Sequence, residues 1–194
     1  MRIRKKEKKD NKMEFIITDE EKKILLESAR ETIAAELSER KAIYGPVTKT
    51  LETKCGAFVT LHKHGQLRGC IGNLVGVKPL YTTIRDMSIS SAFEDPRFMP
   101  LSKKELEEIN IEISVLSPLE KIKSIDEIKI GEHGILIKRG FRSGTFLPQV
   151  AVEQRWDINE LITNLCYKAG MDKDSWKAPD TELFVYTAIV FGEK

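Results

Sequence analysis

Cys55-Gly56-Ala57-Phe58-Val59-Thr60-Leu61 and Leu67-Arg68-Gly69-Cys70-Ile71-Gly72 are two short runs rich in apolar and β-branched residues, separated by the polar stretch His62-Lys63-His64-Gly65-Gln66. Two such runs across a short glycine-containing loop predict a β-hairpin. Alternate side chains of a strand share a face. Leu67, Gly69 and Ile71 are therefore expected on the core side, and Arg68, Cys70 and Gly72 on the other. Glycine weakens a strand, so Gly69 and Gly72 predict a bulge, a positive φ angle, or the close approach of another backbone or a ligand.

Arg68 and Cys70 on one face offer chemistry. A guanidinium beside a thiol favours the thiolate, and it also clamps carboxylates and phosphates. The plainer alternative is a small buried cysteine and an arginine paired with an acid inside the fold.

Outward from the hairpin, Thr18-Asp19-Glu20-Glu21 is a capping box. Ile24, Leu25, Ala29, Ile33 and Leu37 follow it at helical spacing, an amphipathic helix to about residue 40. Past the hexapeptide, Pro79 opens a second helix. Its small residues Ser88, Ser90, Ser91 and Ala92 predict a close neighbour at that end. Phe93 to Pro100 is a proline-punctuated loop holding Asp95 and Arg97. Ser102-Lys103-Lys104-Glu105 is another capping box, ahead of a strand with Ile111, Ile113 and Val115 inward. Gly131-Glu132-His133-Gly134 sets a histidine between glycines, and a hairpin follows over residues 135–147. A short helix begins at Pro148. Asp157 and Glu160 cap a stronger one that buries Cys166 and stops at Gly170. Leu183 to Phe191 reads as one long central strand, apolar on both faces. Helices interspersed with hairpins predict an α+β fold: a largely antiparallel or mixed sheet flanked by helices, in a two-lobed single unit with a smaller lobe.

The 194-residue chain carries 32 Lys and Arg against 30 Asp and Glu. Residues 1–13 hold seven of those cations, with Glu7 and Asp10, and read as a basic, disordered tail. Residues 14–194 are expected to form a single domain, with the smaller lobe at about 118–147. The body is mildly acidic, and few aromatics alternate with cations, so nucleic acid is an unfavoured partner. Cys55, Cys70 and Cys166 show no CxxC spacing, which predicts reduced thiols in the cytoplasm. No stretch reads as a membrane span or a signal core. No cofactor is expected. His62 and His64 read as part of a solvated turn rather than as metal ligands.

Leu67 to Gly72, then Asp95-Pro96-Arg97-Phe98, Ile130-Gly131-Glu132-His133-Gly134, Leu147-Pro148-Gln149-Val150-Ala151 and Trp156-Asp157 occur in that order. On these motifs the chain resembles the AMME-syndrome chromosomal-region protein family, whose prokaryotic members are called AmmeMemoRadiSam system protein A. The resemblance covers roughly residues 14 to 194. It implies an α+β fold with a larger and a smaller lobe, and a genomic association with a Memo-like protein and a radical-SAM protein. It brings no catalytic set and no cofactor.

Two functions are open at this point. A binding or accessory module would use a cleft around Leu67–Gly72, with Arg68, Gly69, Gly72, Asp95, Arg97 and Gln149 as binding residues and Memo-like and radical-SAM proteins as partners. An enzyme would use Cys70 as nucleophile or redox thiol and His133 as base, with Arg68, Asp95 and Arg97 holding an anionic group. The enzyme requires the fold to bring Cys70 and His133 together across 63 positions of chain.

Overall fold

The computed structural model describes residues 16–193, and the basic tail expected over residues 1–13 lies outside them. Helix α1 spans Asp19–Leu37. Its start is set by the capping box: Thr18 Oγ1 accepts the Glu21 N–H at 3.2 Å, and the Glu21 carboxylate accepts the Thr18 N–H at 3.0 Å. Strands β1 (Ala57–Lys63) and β2 (Gln66–Asn73) form the hairpin. Its two turn residues, His64 and Gly65, have φ of 51° and 76°, the left-handed pair that a tight hairpin requires. Helix α2 (Leu80–Ile89) runs on into a wider π-helical turn over Ser90–Glu94. Strand β3 (Ile109–Leu116) completes the first half of the chain.

The second half contains β4 (Glu120–Ile122), β5 (Gly134–Arg139), β6 (Arg142–Phe146), α3 (Pro148–Gln154), α4 (Ile158–Lys168), β7 (Glu182–Tyr186) and β8 (Ala188–Gly192). The strands make two four-stranded sheets, ordered β2-β1-β3-β8 and β4-β7-β5-β6, with every neighbouring pair antiparallel. The fold is thus α+β. No helix among the described residues is long and apolar enough to cross a membrane.

Each sheet has its own core. Leu25, Ala29 and Ile33 of α1 and Leu80 and Ile84 of α2 pack on Val59, Leu61, Ile111 and Ile113 of the first sheet. Leu161, Ile162, Leu165 and Cys166 of α4 pack on Ile135, Ile137, Leu183 and Val185 of the second. Burying each such leucine or isoleucine contributes about 2 kcal/mol. Residues 118–147 supply β4, β5 and β6; α3, α4 and β7 complete the second layer from further along the chain.

The single long strand expected over Leu183 to Phe191 is two strands in two sheets. Thr187 divides them. Its N–H donates to Ser117 Oγ at 2.9 Å, and its carbonyl accepts the Ser117 N–H at 2.9 Å. The chain therefore crosses between the sheets twice, at 117–119 and at 187, and the crossings are tied together. Leu183 and Val185 serve the core of the second sheet, while Ile189 and Phe191 pack against that of the first. β7 is an inner strand, whereas β8 is an edge strand with Val190 exposed.

Candidate functional site at the β2 edge and the inter-sheet cavity

Leu61 pairs with Gly69, but His62 pairs with Leu67, so Arg68 is the extra residue of a β-bulge. The bulge breaks the expected alternation. Gly69 and Ile71, opposite Leu61 and Val59, face the core. Leu67 now shares the other face with Cys70 and Gly72, opposite His62, Thr60 and Phe58. Leu67 is 42% exposed instead of being a core residue.

Freed from the alternation, Arg68 turns to Glu105. Its Nε lies 3.0 Å from Oε1 and its Nη2 3.2 Å from Oε2, while Nη2 also donates to the Met99 carbonyl at 2.9 Å. Lys63 Nζ adds a contact to Glu105 Oε1 at 3.2 Å. Glu105 also closes its capping box, accepting the Ser102 N–H at 3.0 Å and the Ser102 hydroxyl at 2.9 Å. Arg68 above all, with the Ser102 N–H second, holds the Glu105 carboxyl well below the usual range. Arg68 Nη1 is buried with no hydrogen-bond partner among the described residues, and its guanidinium carbon sits 5.9 Å from the centre of the Phe98 ring.

Asp95 closes the other side. Its Oδ2 accepts the Cys70 N–H at 2.9 Å and Arg97 Nη2 at 2.7 Å; Oδ1 accepts Arg97 Nε at 2.9 Å. Arg97 Nη2 donates to the Cys70 carbonyl at 3.1 Å. Hydrogen bonding from Arg97 depresses the buried Asp95 carboxyl far below its ordinary value. Gly69 meets the Ser91 carbonyl of the π-helical turn, which leaves no room for a Cβ. Gly72 is similarly closed in by the Phe58 ring and the Ala57 carbonyl. Neither glycine has a positive φ, so close approach is the reason for both.

Cys70 is half-buried, and its sulfur accepts the Thr60 hydroxyl at 3.2 Å. In register, Cys70, Thr60 and Glu112 form a row across three strands. His62 lies on the same face of β1 as Thr60, two residues further along and beyond the bulge. Arg68, Gly69, Cys70, Asp95 and Arg97 thus meet at the outer edge of β2. Gln149 does not: it sits half-buried in the first turn of α3, beside the second sheet.

His133 is placed with a different cysteine. It lines a cavity of about 870 Å³ between the sheets, together with Thr53, Lys54, Cys55, Val115, Ser117, Glu120, Val185, Tyr186, Thr187 and Ile189. Its Nδ1 accepts the Lys129 N–H at 3.3 Å, which in the neutral ring leaves the proton on Nε2. Burial pushes the Cys55 thiol up to about 11 and the Tyr186 hydroxyl up to about 12. Among the described residues, no three histidine, cysteine or acidic side chains gather as a metal site would need. Sequence reasoning missed Glu105, which it took for a helix cap alone, and Cys55, which it took for the start of a strand. Neither residue carries a local signal of its long-range partner.

The AMMECR1 family model matches residues 26–191. Protein MK0488 of Methanopyrus kandleri is 44% identical over 188 residues, covering 92% of this chain and 91% of that protein. Protein TK0174 of Thermococcus kodakarensis is 38% identical, covering 93% and 94%. The crystal structure of protein PH0010 from Pyrococcus horikoshii superimposes with a TM-score of 0.83 at 37% identity, over 92% of this chain and 94% of that one. The chain shares its fold with that structure and belongs to the AMMECR1 family.

Proposed function

We propose that this protein is a binding module whose recognition surface is the rim where β2 meets the 95–99 loop. The surface engages a protein segment presented by a Memo-like or radical-SAM partner. One observation carries this: the Arg68 side chain and the Cys70 backbone are engaged within the protein, while apolar side chains beside them face solvent. Arg68 is committed to Glu105 and Asp95 to Arg97. Leu67 is 42% exposed and Met99 81% exposed, and Arg68 bonds the Met99 backbone directly. Exposed apolar residues on a rigid mount are the usual core of a protein contact. The alternative, an enzyme with Cys70 as nucleophile or redox thiol and His133 as base, lacks that support. Cys70 has a hydroxyl for its side-chain partner, and His133 lines the cavity with Cys55.

Calorimetric titration of the full chain with the Memo-like and radical-SAM proteins of the same genome is the test. Binding to one of them, weakened at least tenfold by Leu67→Asp and by Met99→Lys and kept by Cys70→Ser, is the expected result. Absence of binding to both, or binding indifferent to both surface changes, would overturn the proposal.

A further inference from the structure

We infer that the inter-sheet cavity is a binding site for a small amphiphilic carboxylate, separate from the β2 rim. At about 870 Å³ the cavity has the size of a small-molecule pocket. Its walls come from both sheets at the point where the tied crossings at Ser117 and Thr187 hold them together. The gap between the sheets is lined by residues of both cores, Ile17, Cys55 and Val115 from the first and Val185 from the second.

The lining divides by chemistry. Ile17, Cys55, Val115, Val185 and Tyr186 are all buried residues and form the apolar wall. Besides the hydroxyl residues Thr53, Ser117 and Thr187, the polar residues are Lys22, Lys54, Glu120 and His133. Lys22 is drawn off by Asp19, 2.7 Å away. Lys54 makes no ion pair among the described residues, and the hydrogen bond from Lys129 leaves the His133 Nε2–H as a donor. A cationic ammonium and an imidazole N–H suit an anionic head. One ammonium and one imidazole N–H beside a wall of apolar residues match a single carboxylate joined to an apolar chain or ring. The Cys55 thiol, pushed up to about 11 by its surroundings, serves as wall and not as nucleophile.

The test uses the full chain and the dye 8-anilinonaphthalene-1-sulfonate, an anion with an aromatic body, displaced by decanoate or by uncharged decanol. Decanoate is expected to displace the dye at a concentration at least tenfold lower than decanol. Lys54→Met should weaken decanoate about tenfold and leave decanol unchanged. Thr187→Trp, at an exposed lining position, should block both while circular dichroism and the melting temperature stay as in the parent. Met99→Lys, on the other surface, should change nothing, so failure here is distinguishable from failure of the partner surface. Equal competition by decanol, or dye binding that survives Thr187→Trp, would refute the assignment.

Discussion

Asp95 Oδ2 accepts the backbone N–H of Cys70 at 2.9 Å, and through Arg97 the same ion pair also reaches the Cys70 carbonyl at 3.1 Å. β2 is an edge strand, and an edge offers unpaired backbone groups to any passing strand. At Cys70 both groups are taken by side chains of one loop. The Asp-Pro-Arg-Phe motif thus does for β2 what a neighbouring strand would do, and the rim keeps one shape.

Asp95→Asn should cost about 1–2 kcal/mol near neutral pH, because it removes a charged acceptor that serves the Cys70 N–H and the guanidinium of a half-exposed arginine. The folded-state pKa of Asp95 is depressed below the unfolded value of about 3.9. Its contribution is therefore fully present above that value and is lost as pH falls through the folded pKa. Urea titrations of parent and variant between pH 7 and pH 2 should converge on the acid side. A gap independent of pH would show that the carboxylate charge is not involved.

Glu105→Gln should destabilise the fold by about 2–3 kcal/mol, since it leaves the Arg68 guanidinium, with a side chain only 13% exposed, beside a neutral amide. Glutamine has one acceptor oxygen where the carboxylate has two, so it cannot serve both Lys63, which bonds Oε1, and the Ser102 cap, which bonds Oε2. A denaturation midpoint equal to that of the parent would mean Arg68 is held by Met99 and Phe98 alone.

Gly69→Ala places a methyl group against the Ser91 carbonyl and should cost about 1–3 kcal/mol through forced movement of the π-helical turn. Gly65→Ala, at a position with φ of 76° and open space around it, separates backbone strain from collision. Its loss should be nearer 1 kcal/mol. Chemical denaturation of both variants tests the order, and a Gly69→Ala protein as stable as the parent contradicts the close packing.

Timed alkylation with iodoacetamide at neutral pH, read by mass spectrometry, should label Cys70 first. Cys55 and Cys166 are buried, and burial raises both of their thiols. Labelling of Cys166 ahead of Cys70 would mean that the second core opens more readily than the rim. If Cys70 is the slowest of the three, nucleophilic chemistry at the hexapeptide is to be abandoned.

Local elements were legible where their causes are local. Capping boxes at Thr18, Ser102 and Asp157, the glycine stop at Gly170 and the His64-Gly65 hairpin turn each depend on residues within a few positions, and each appears in the structure. The run of small residues after α2 correctly announced a close neighbour, though not that Gly69 would be it. The bulge at Arg68 was not legible, because a bulge is a property of the pairing between two strands and not of either strand alone.

The sequence by itself determined the hairpin, the helices and their buried faces, and the α+β class, since periodicity and caps act over one or two turns of chain. Only the tertiary structure decided that Leu183 to Phe191 serves two sheets, that Leu67 faces outward, and that Arg68 answers to Glu105. It also decided that His133 shares a cavity with Cys55 and not with Cys70. Each of those outcomes joins residues distant in the chain. Their physical cause is the register and packing of the sheets, which no local stretch of chain sets alone.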